Sequence, residues 1–208
     1  MAPGRFIALE GGEAVGKSTQ ARRLAAALRE QGRDVLETRE PGGSAGAEAI
    51  RALLMRGAED RWSPAAEALL FAAARSDHVS RTILPALEAG RWVVCDRFVH
   101  SSIAYQGVAG AVGEQRIRTL HDIGSGGLLP DRVLLLRLDP GEAARRMGER
   151  DGANIDRFGA RGDAFHRAVD QAFVQLAAGD PRRFRTIDAA GEEAEVTQRL
   201  VDAVADLA

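Results

Sequence analysis

Short apolar runs recur along this chain, each ended by glycine, proline or charge. Between them, apolar residues return every third or fourth position. Residues 5–10 (RFIALE) form the first run and predict a short buried strand, followed by a glycine-rich segment. From 17 to 31 the apolar positions Leu24, Ala25 and Leu28 have helical spacing, and Gly32 supplies a stop. A second strand is predicted at 34–38 (DVLET), then a loop at 40–43, where Pro41, Gly42 and Gly43 punctuate the chain. Helices are expected at 47–55 and over most of 64–89, with Pro64 suited to a first turn and Pro85 a bend or interruption.

The alternation continues to the C-terminus. Residues 92–95 (WVVC) predict a strand that delivers Asp96 and Arg97 at its carboxyl end. Residues 101–123 read as helix in two pieces, broken around 107–113. A strand at 132–138 (RVLLLRL) leads into a helix start at Asp139-Pro140. The stretch 149–162 is rich in glycine and charge and has no apolar period, which predicts a mobile loop. Helix is expected at 164–178, strand at 183–188 and helix at 192–208. Strands alternating with helices imply an α/β domain over 1–208, with a five-stranded parallel sheet covered on both faces. Ligands of such sheets bind beyond the carboxyl ends of the strands, which here carry 11–18, 39–43 and 96–97.

Composition narrows the function classes. With 208 residues the chain can bury a full core, and only 5% of it is aromatic, so that core is built mainly from Ala, Leu, Val and Ile. A formal net charge of −2 argues against a nucleic-acid surface. No apolar run approaches the ~18 residues of a membrane span, and no signal-peptide pattern opens the chain. The single cysteine, Cys95, reads as a buried strand thiol in a reducing compartment, so the expected location is cytoplasmic. His78, His121 and His166 show no metal-ligand spacing.

The basic residues carry the sharpest signal: 27 are arginine and one, Lys17, is lysine. It completes Gly11-Gly12-Glu13-Ala14-Val15-Gly16-Lys17-Ser18, the G-x-x-x-x-G-K-[ST] phosphate loop, between a predicted strand and a predicted helix. Backbone N–H groups of that loop and the positive end of the helix dipole cradle nucleotide phosphates. Lys17 is suited to the β- and γ-phosphates and Ser18 to Mg²⁺. A guanine-reading Asn-Lys-x-Asp is impossible with the only lysine already used. Arginines at several crevice loops suit an acceptor that is itself a phosphate. Such an acceptor needs no base; it needs charge screening and in-line positioning. The residues leave open a nucleoside monophosphate kinase of some base preference, or a nucleotide-dependent switch ATPase.

Several segments in order resemble bacterial thymidylate kinases: Phe6–Gly11 with the loop, Thr38-Arg39-Glu40-Pro41-Gly42-Gly43-Ser44, Phe71-Ala72-Ala73-Ala74-Arg75, Asp96-Arg97-Phe98 with Ser101-Ser102, Ala104-Tyr105-Gln106-Gly107 and Leu129-Pro130-Asp131. The resemblance implies a P-loop NTPase fold, and transfer of phosphate from MgATP to dTMP in dTTP biosynthesis. It implies ATP contacts along the loop from Gly11, Gly12, Glu13, Ala14 and Val15 to Gly16, Lys17, Ser18 and Thr19. Glu13 matches the residue that contacts the sugar 3′-hydroxyl, and Arg39 and Arg97 those that hold the acceptor phosphate. Asp96 matches a carboxylate near Mg²⁺, which Ser18 also coordinates. Phe71 matches the ring stacked on thymine, Arg75 the residue at the base edge and Tyr105 the ring under the deoxyribose. Ser102 and Gln106 line the base pocket.

By the same resemblance, about 149–162 is the lid over ATP. Some family members carry a catalytic arginine where Ala14 stands here, so the lid is expected to supply one: Arg150, then Arg157, with Arg161 a further candidate. His100, Gly159 and Val15 depart from the usual pattern. Family members are generally homodimers, which implies the same here.

Overall fold

A computed structural model describes residues 4–58, 60–151 and 157–207. Elements follow in the order β1 (Phe6–Glu10), α1 (Lys17–Glu30), β2 (Val35–Arg39), α2 (Ala45–Met55), α3 (Pro64–His78), α4 (Leu84–Glu88) and β3 (Trp92–Asp96). They continue with α5 (Val99–Ser102), α6 (Glu114–Ser125), β4 (Arg132–Arg137), α7 (Pro140–Asp151), α8 (Asp163–Gly179), β5 (Phe184–Asp188) and α9 (Glu193–Asp202). The five strands form one parallel sheet in the order β2-β3-β1-β4-β5. This is the α/β phosphate-loop architecture expected.

Unlike the edge strands β2 and β5, the inner strands β3, β1 and β4 are buried on both faces, so they read as nearly continuous apolar runs. The two-residue period nevertheless divides them. Ile7, Leu9, Val94, Leu134 and Leu136 pack on one face with Leu24 and Leu28 of α1 and Val196 and Leu200 of α9. Phe6, Ala8, Val93 and Cys95 face the other way, against Phe98, Val99, Ile103 and Ile83. Leu24 is fully buried, so Leu24→Ala removes about 2–5 kcal/mol. No described helix is long and apolar enough to cross a membrane.

Two wide helical turns were not legible in the pattern. The stretch read as 64–89 contains a π-helical turn over Val79–Ile83, in which the Leu84 N–H reaches back five residues to the Val79 carbonyl. The helix then continues without a break into α4, with Pro85 just past the wide turn, so the interruption expected at Pro85 is a change of winding. A second π-helical segment, Ile103–Ala109, holds Tyr105 and Gln106. The expected break follows it, with α6 opening at Glu114.

The helix predicted to start at Asp139-Pro140 does so, because Asp139 Oδ1 accepts the N–H groups of Gly141 at 2.9 Å and Glu142 at 3.2 Å. That helix, α7, runs on to Asp151. The loop expected from 149 therefore begins later: the charged first residues of that stretch sustain helix without an apolar period. Residues 152–156 lie outside the described residues.

Candidate active site

The carboxyl ends of β1, β2 and β3 open onto a crevice of about 1080 Å³. Glu13, Ala14, Gly16, Lys17, Ser18 and Thr19 line it from the loop, joined by Arg39, Phe71, Arg75, Asp96, Arg97, Ser102, Tyr105 and Gln106. Residues far apart in sequence thus share one cavity because parallel strands bring the ends of successive βα units to one side. Phe71 and Arg75 both reach it, as their four-residue spacing on α3 requires.

The loop keeps its shape through backbone constraints. Gly11 has φ +141°, and a Cβ there would lie 2.4 Å from the Leu136 carbonyl oxygen. Val15 turns into the core beside Ile7 and Leu9 instead of into the crevice. Lys17 is buried and donates to the Gly12 carbonyl. Burial, then the neighbouring Arg97 charge, push its ammonium down to about 8. Ser18 Oγ donates to Asp96 Oδ2 at 2.5 Å, while Asp96 Oδ1 is buried with no hydrogen-bond partner among the described residues.

Beside the loop, Glu13 Oε1 accepts hydrogen bonds from Arg97 Nη2 at 2.7 Å and from the Tyr105 hydroxyl at 2.7 Å. Arg97 Nη1 donates to Ser101 Oγ at 3.0 Å and to the Gly11 carbonyl at 3.2 Å, and its guanidinium sits 5.0 Å from the Tyr105 ring centre. Burial works against the Arg97 charge, but Glu13, then Tyr105 and Asp96, outweigh it and hold the guanidinium above its ordinary range. Burial raises the Tyr105 phenol, so it remains a hydrogen-bond donor. Arg97 also has φ +69°, a left-handed conformation that costs a side-chain-bearing residue on the order of 1–3 kcal/mol.

Further carboxylates complete the surroundings. Sequence reading gave them no role, although Glu10 and Glu40 stood inside the quoted segments as charges beside apolar strands. Glu10 is fully buried, accepts from Ser101 Oγ at 2.6 Å and from the Phe98 N–H at 2.9 Å, and is pushed up to about 7 by burial. Glu40 Oε2 accepts from Arg75 Nε at 2.7 Å, and its Oε1 lies 3.1 Å from His78 Nδ1. Glu67 Oε1 accepts from Gln106 Nε2 at 3.0 Å, while its Oε2 meets Arg157 at 3.1 Å and Arg161 at 2.9 Å. No local pattern signals these pairs, since their partners are distant in sequence.

Arg157 is buried, bonded to Glu67 and to the Leu54 carbonyl, and is not among the residues lining the crevice. The side chain of Arg150 lies outside the described residues. From the same region, Phe158 and Arg146 do line the crevice. Phe158 meets Phe71 edge-on at 5.6 Å, so the ring expected to stack on a base already has an aromatic neighbour. Arg39 is half exposed and pairs with Glu48 at 3.3 Å. His100 is buried 3.9 Å from Glu10 and pushed down to about 3, first by burial, which keeps it neutral at ordinary pH and outside the crevice.

The model of the thymidylate kinase family matches residues 9–200. The chain belongs to the thymidylate kinase family. It is 65% identical over 205 residues to a thymidylate kinase of Rhizorhabdus wittichii, covering 99% of both chains. It is 47% identical over 204 residues to one of Caulobacter vibrioides, covering 98% of this chain and 97% of the relative. Among solved structures, the thymidylate kinase of Ehrlichia chaffeensis superposes with a TM-score of 0.79 at 29% identity, over 97% of this chain and all of that one. The chain is accordingly a dTMP kinase, with ATP as donor and dTMP as acceptor. The switch-ATPase reading and other base preferences fall away.

Proposed function

We propose that the γ-phosphoryl of ATP passes directly, in line, to the phosphate of dTMP within this crevice, without a covalent enzyme intermediate, as the dTDP-forming step towards dTTP. The observation that carries this reading is the Glu13–Arg97–Tyr105 cluster set against Lys17. It joins a cation for an acceptor phosphate, a carboxylate for a sugar hydroxyl and a ring under the sugar to a phosphate loop. Lys17 follows the transferring group, Arg97 and Arg39 hold the acceptor phosphate, Phe71 and Arg75 take the base, and Ser102 and Gln106 flank it.

Mg²⁺ fits Ser18 and Asp96: the bare, buried Asp96 Oδ1 is an oxygen ligand without a partner. No three-residue metal cage exists among the described residues, in keeping with an ion held mostly by substrate phosphates and water. When bound, it would neutralise charge on the donor phosphates. The stretch about 149–162 acts as a lid over ATP, with a lid arginine, Arg150 or a released Arg157, completing the charge on the donor side. Water exclusion by the lid favours transfer over hydrolysis.

The fully buried cysteine supports a reducing, cytoplasmic setting. Exposed Leu69 on α3 and Ile123 on α6 support homodimerisation through these packed helices. Light scattering tests this: a monomer at micromolar concentration refutes the dimer. For the reaction, coupled ADP release is measured with MgATP and dTMP, dUMP, dCMP, dGMP or AMP. Fast turnover with dTMP is expected, and equal rates with all five would refute the base slot.

A further inference from the structure

Arg75 is held in a way that reaches beyond its place in the crevice. It is almost fully buried, and two of its three nitrogens are engaged: Nε donates to Glu40 Oε2 and Nη2 to Ser102 Oγ, both at 2.7 Å. Its guanidinium lies 5.4 Å from the centre of the Phe98 ring. Nη1 alone has no hydrogen-bond partner among the described residues, and Arg75 lines the crevice. An arginine offers donors and no acceptor. Clamped in this way, it presents one donor edge in one orientation.

Glu40 is itself immobilised. Its backbone N–H donates to the Asp96 carbonyl at 2.9 Å, fixing it at the end of β2 beside β3. Its second oxygen meets His78 Nδ1, and His78, with no exposed surface, reaches Thr38 Oγ1 through Nε2 at 2.7 Å. Glu40, His78 and Arg75, with part-buried Thr38, therefore form one polar chain linking β2 to α3. Such a chain holds its members only while each is satisfied.

Resting on the assignment of this crevice to dTMP, we propose that Glu40 is a positioning residue for acceptor-base selection. It holds Arg75 so that a donor-only edge meets the base, which favours a pyrimidine with a carbonyl where cytosine carries an amine. Thymine offers an acceptor oxygen at that place and cytosine an N–H₂ donor, which would set donor against donor. Uracil shares the carbonyl, so the clamp is blind to the methyl group.

The test measures kcat and KM for dTMP, dUMP and dCMP with saturating MgATP in Arg75→Ala, Glu40→Ala, Glu40→Gln and Ser102→Ala. A ratio of two kcat/KM values from one preparation does not depend on its folded fraction, so a merely structural role leaves it unmoved. Glu40→Ala is expected to lower the dTMP:dCMP ratio at least about tenfold, mainly through KM for dTMP, and to leave dTMP:dUMP unchanged. Glu40→Gln keeps an acceptor for Arg75 Nε and recovers most of the ratio. Alanine at 40 strips a buried arginine of its counter-charge and can fail to fold, so Ser102→Ala is read beside it. That change removes the Nη2 anchor without removing charge and lowers the dTMP:dCMP ratio severalfold. If Arg75→Ala collapses the ratio while the Glu40 and Ser102 variants keep it, the clamp is overturned and the base slot stands. If Arg75→Ala also keeps it, the base slot itself fails.

Discussion

The two halves of the crevice differ in how their charges are held. On the side proposed for the acceptor, Glu13, Arg97 and Tyr105, and behind them Glu40, Arg75 and Ser102, are largely buried and mutually bonded at 2.7–3.3 Å. On the side proposed for the donor, Lys17 is also buried but bonds only within its own loop, at the Gly12 carbonyl. Arg146, which also lines the crevice, pairs with Glu142 one helical turn away, and both are about one-third exposed. A buried cluster cannot relax into water, so its geometry is set before substrate arrives. Exposed pairs within one helix contribute little and exchange readily with water or phosphate. The contrast suits an acceptor that must be read for its base and a donor that is gripped by its phosphates.

The strongest way to break this contrast is Arg97→Ala. Removing Arg97 takes a charge-assisted hydrogen bond from the part-buried Glu13–Arg97–Tyr105 cluster, so a stability loss of about 1–3 kcal/mol is expected together with loss of dTMP binding. Denaturant unfolding and dTMP titration check both, and a loss near zero would mean the cluster is not preorganised. Lys17→Ala should act on the other half alone. A fall in kcat of about 10²–10³-fold or more is expected with dTMP binding retained, as its proposed stabilisation of charge developing during transfer requires. Single-turnover kinetics and calorimetry separate the two effects.

Glu10 sharpens the comparison through pH. Its folded value, about 7, lies above the ordinary 4.5, so its contribution to stability is fully present below pH 4.5 and is lost as pH rises through 7. That loss amounts to about 3 kcal/mol. His100 runs the other way: held at about 3 against an ordinary 6.5, its contribution is present above pH 6.5 and lost as pH falls towards 3. Comparing wild type with Glu10→Gln cancels the histidine. The variant should gain relative stability between pH 4.5 and 7, and parallel curves would show that Glu10 does not titrate there. The smallest effect is expected from Glu142→Gln. It removes a surface partner of Arg145 and Arg146 and should leave the melting temperature within error of wild type.

What the sequence alone determined is what local, contiguous signals can carry. The phosphate loop is one unbroken segment between a strand and a helix, while short apolar runs placed every strand and three-to-four-residue apolar spacing most helices. The arginines and the lone tyrosine stood in recognisable segments, so their convergence followed from parallel topology. The wide turns at 79–83 and 103–109 were not legible, because one extra residue per turn leaves the apolar pattern almost unchanged. Nor were the buried partners legible. Glu40 meets Arg75 across 35 positions, and Glu67 meets Arg157 and Arg161 across 90 or more. A glutamate in a sequence carries no mark of whether it will be solvated or sealed beside a distant guanidinium. Only tertiary packing decides that, since exclusion of water turns an ordinary charge into a fixed one.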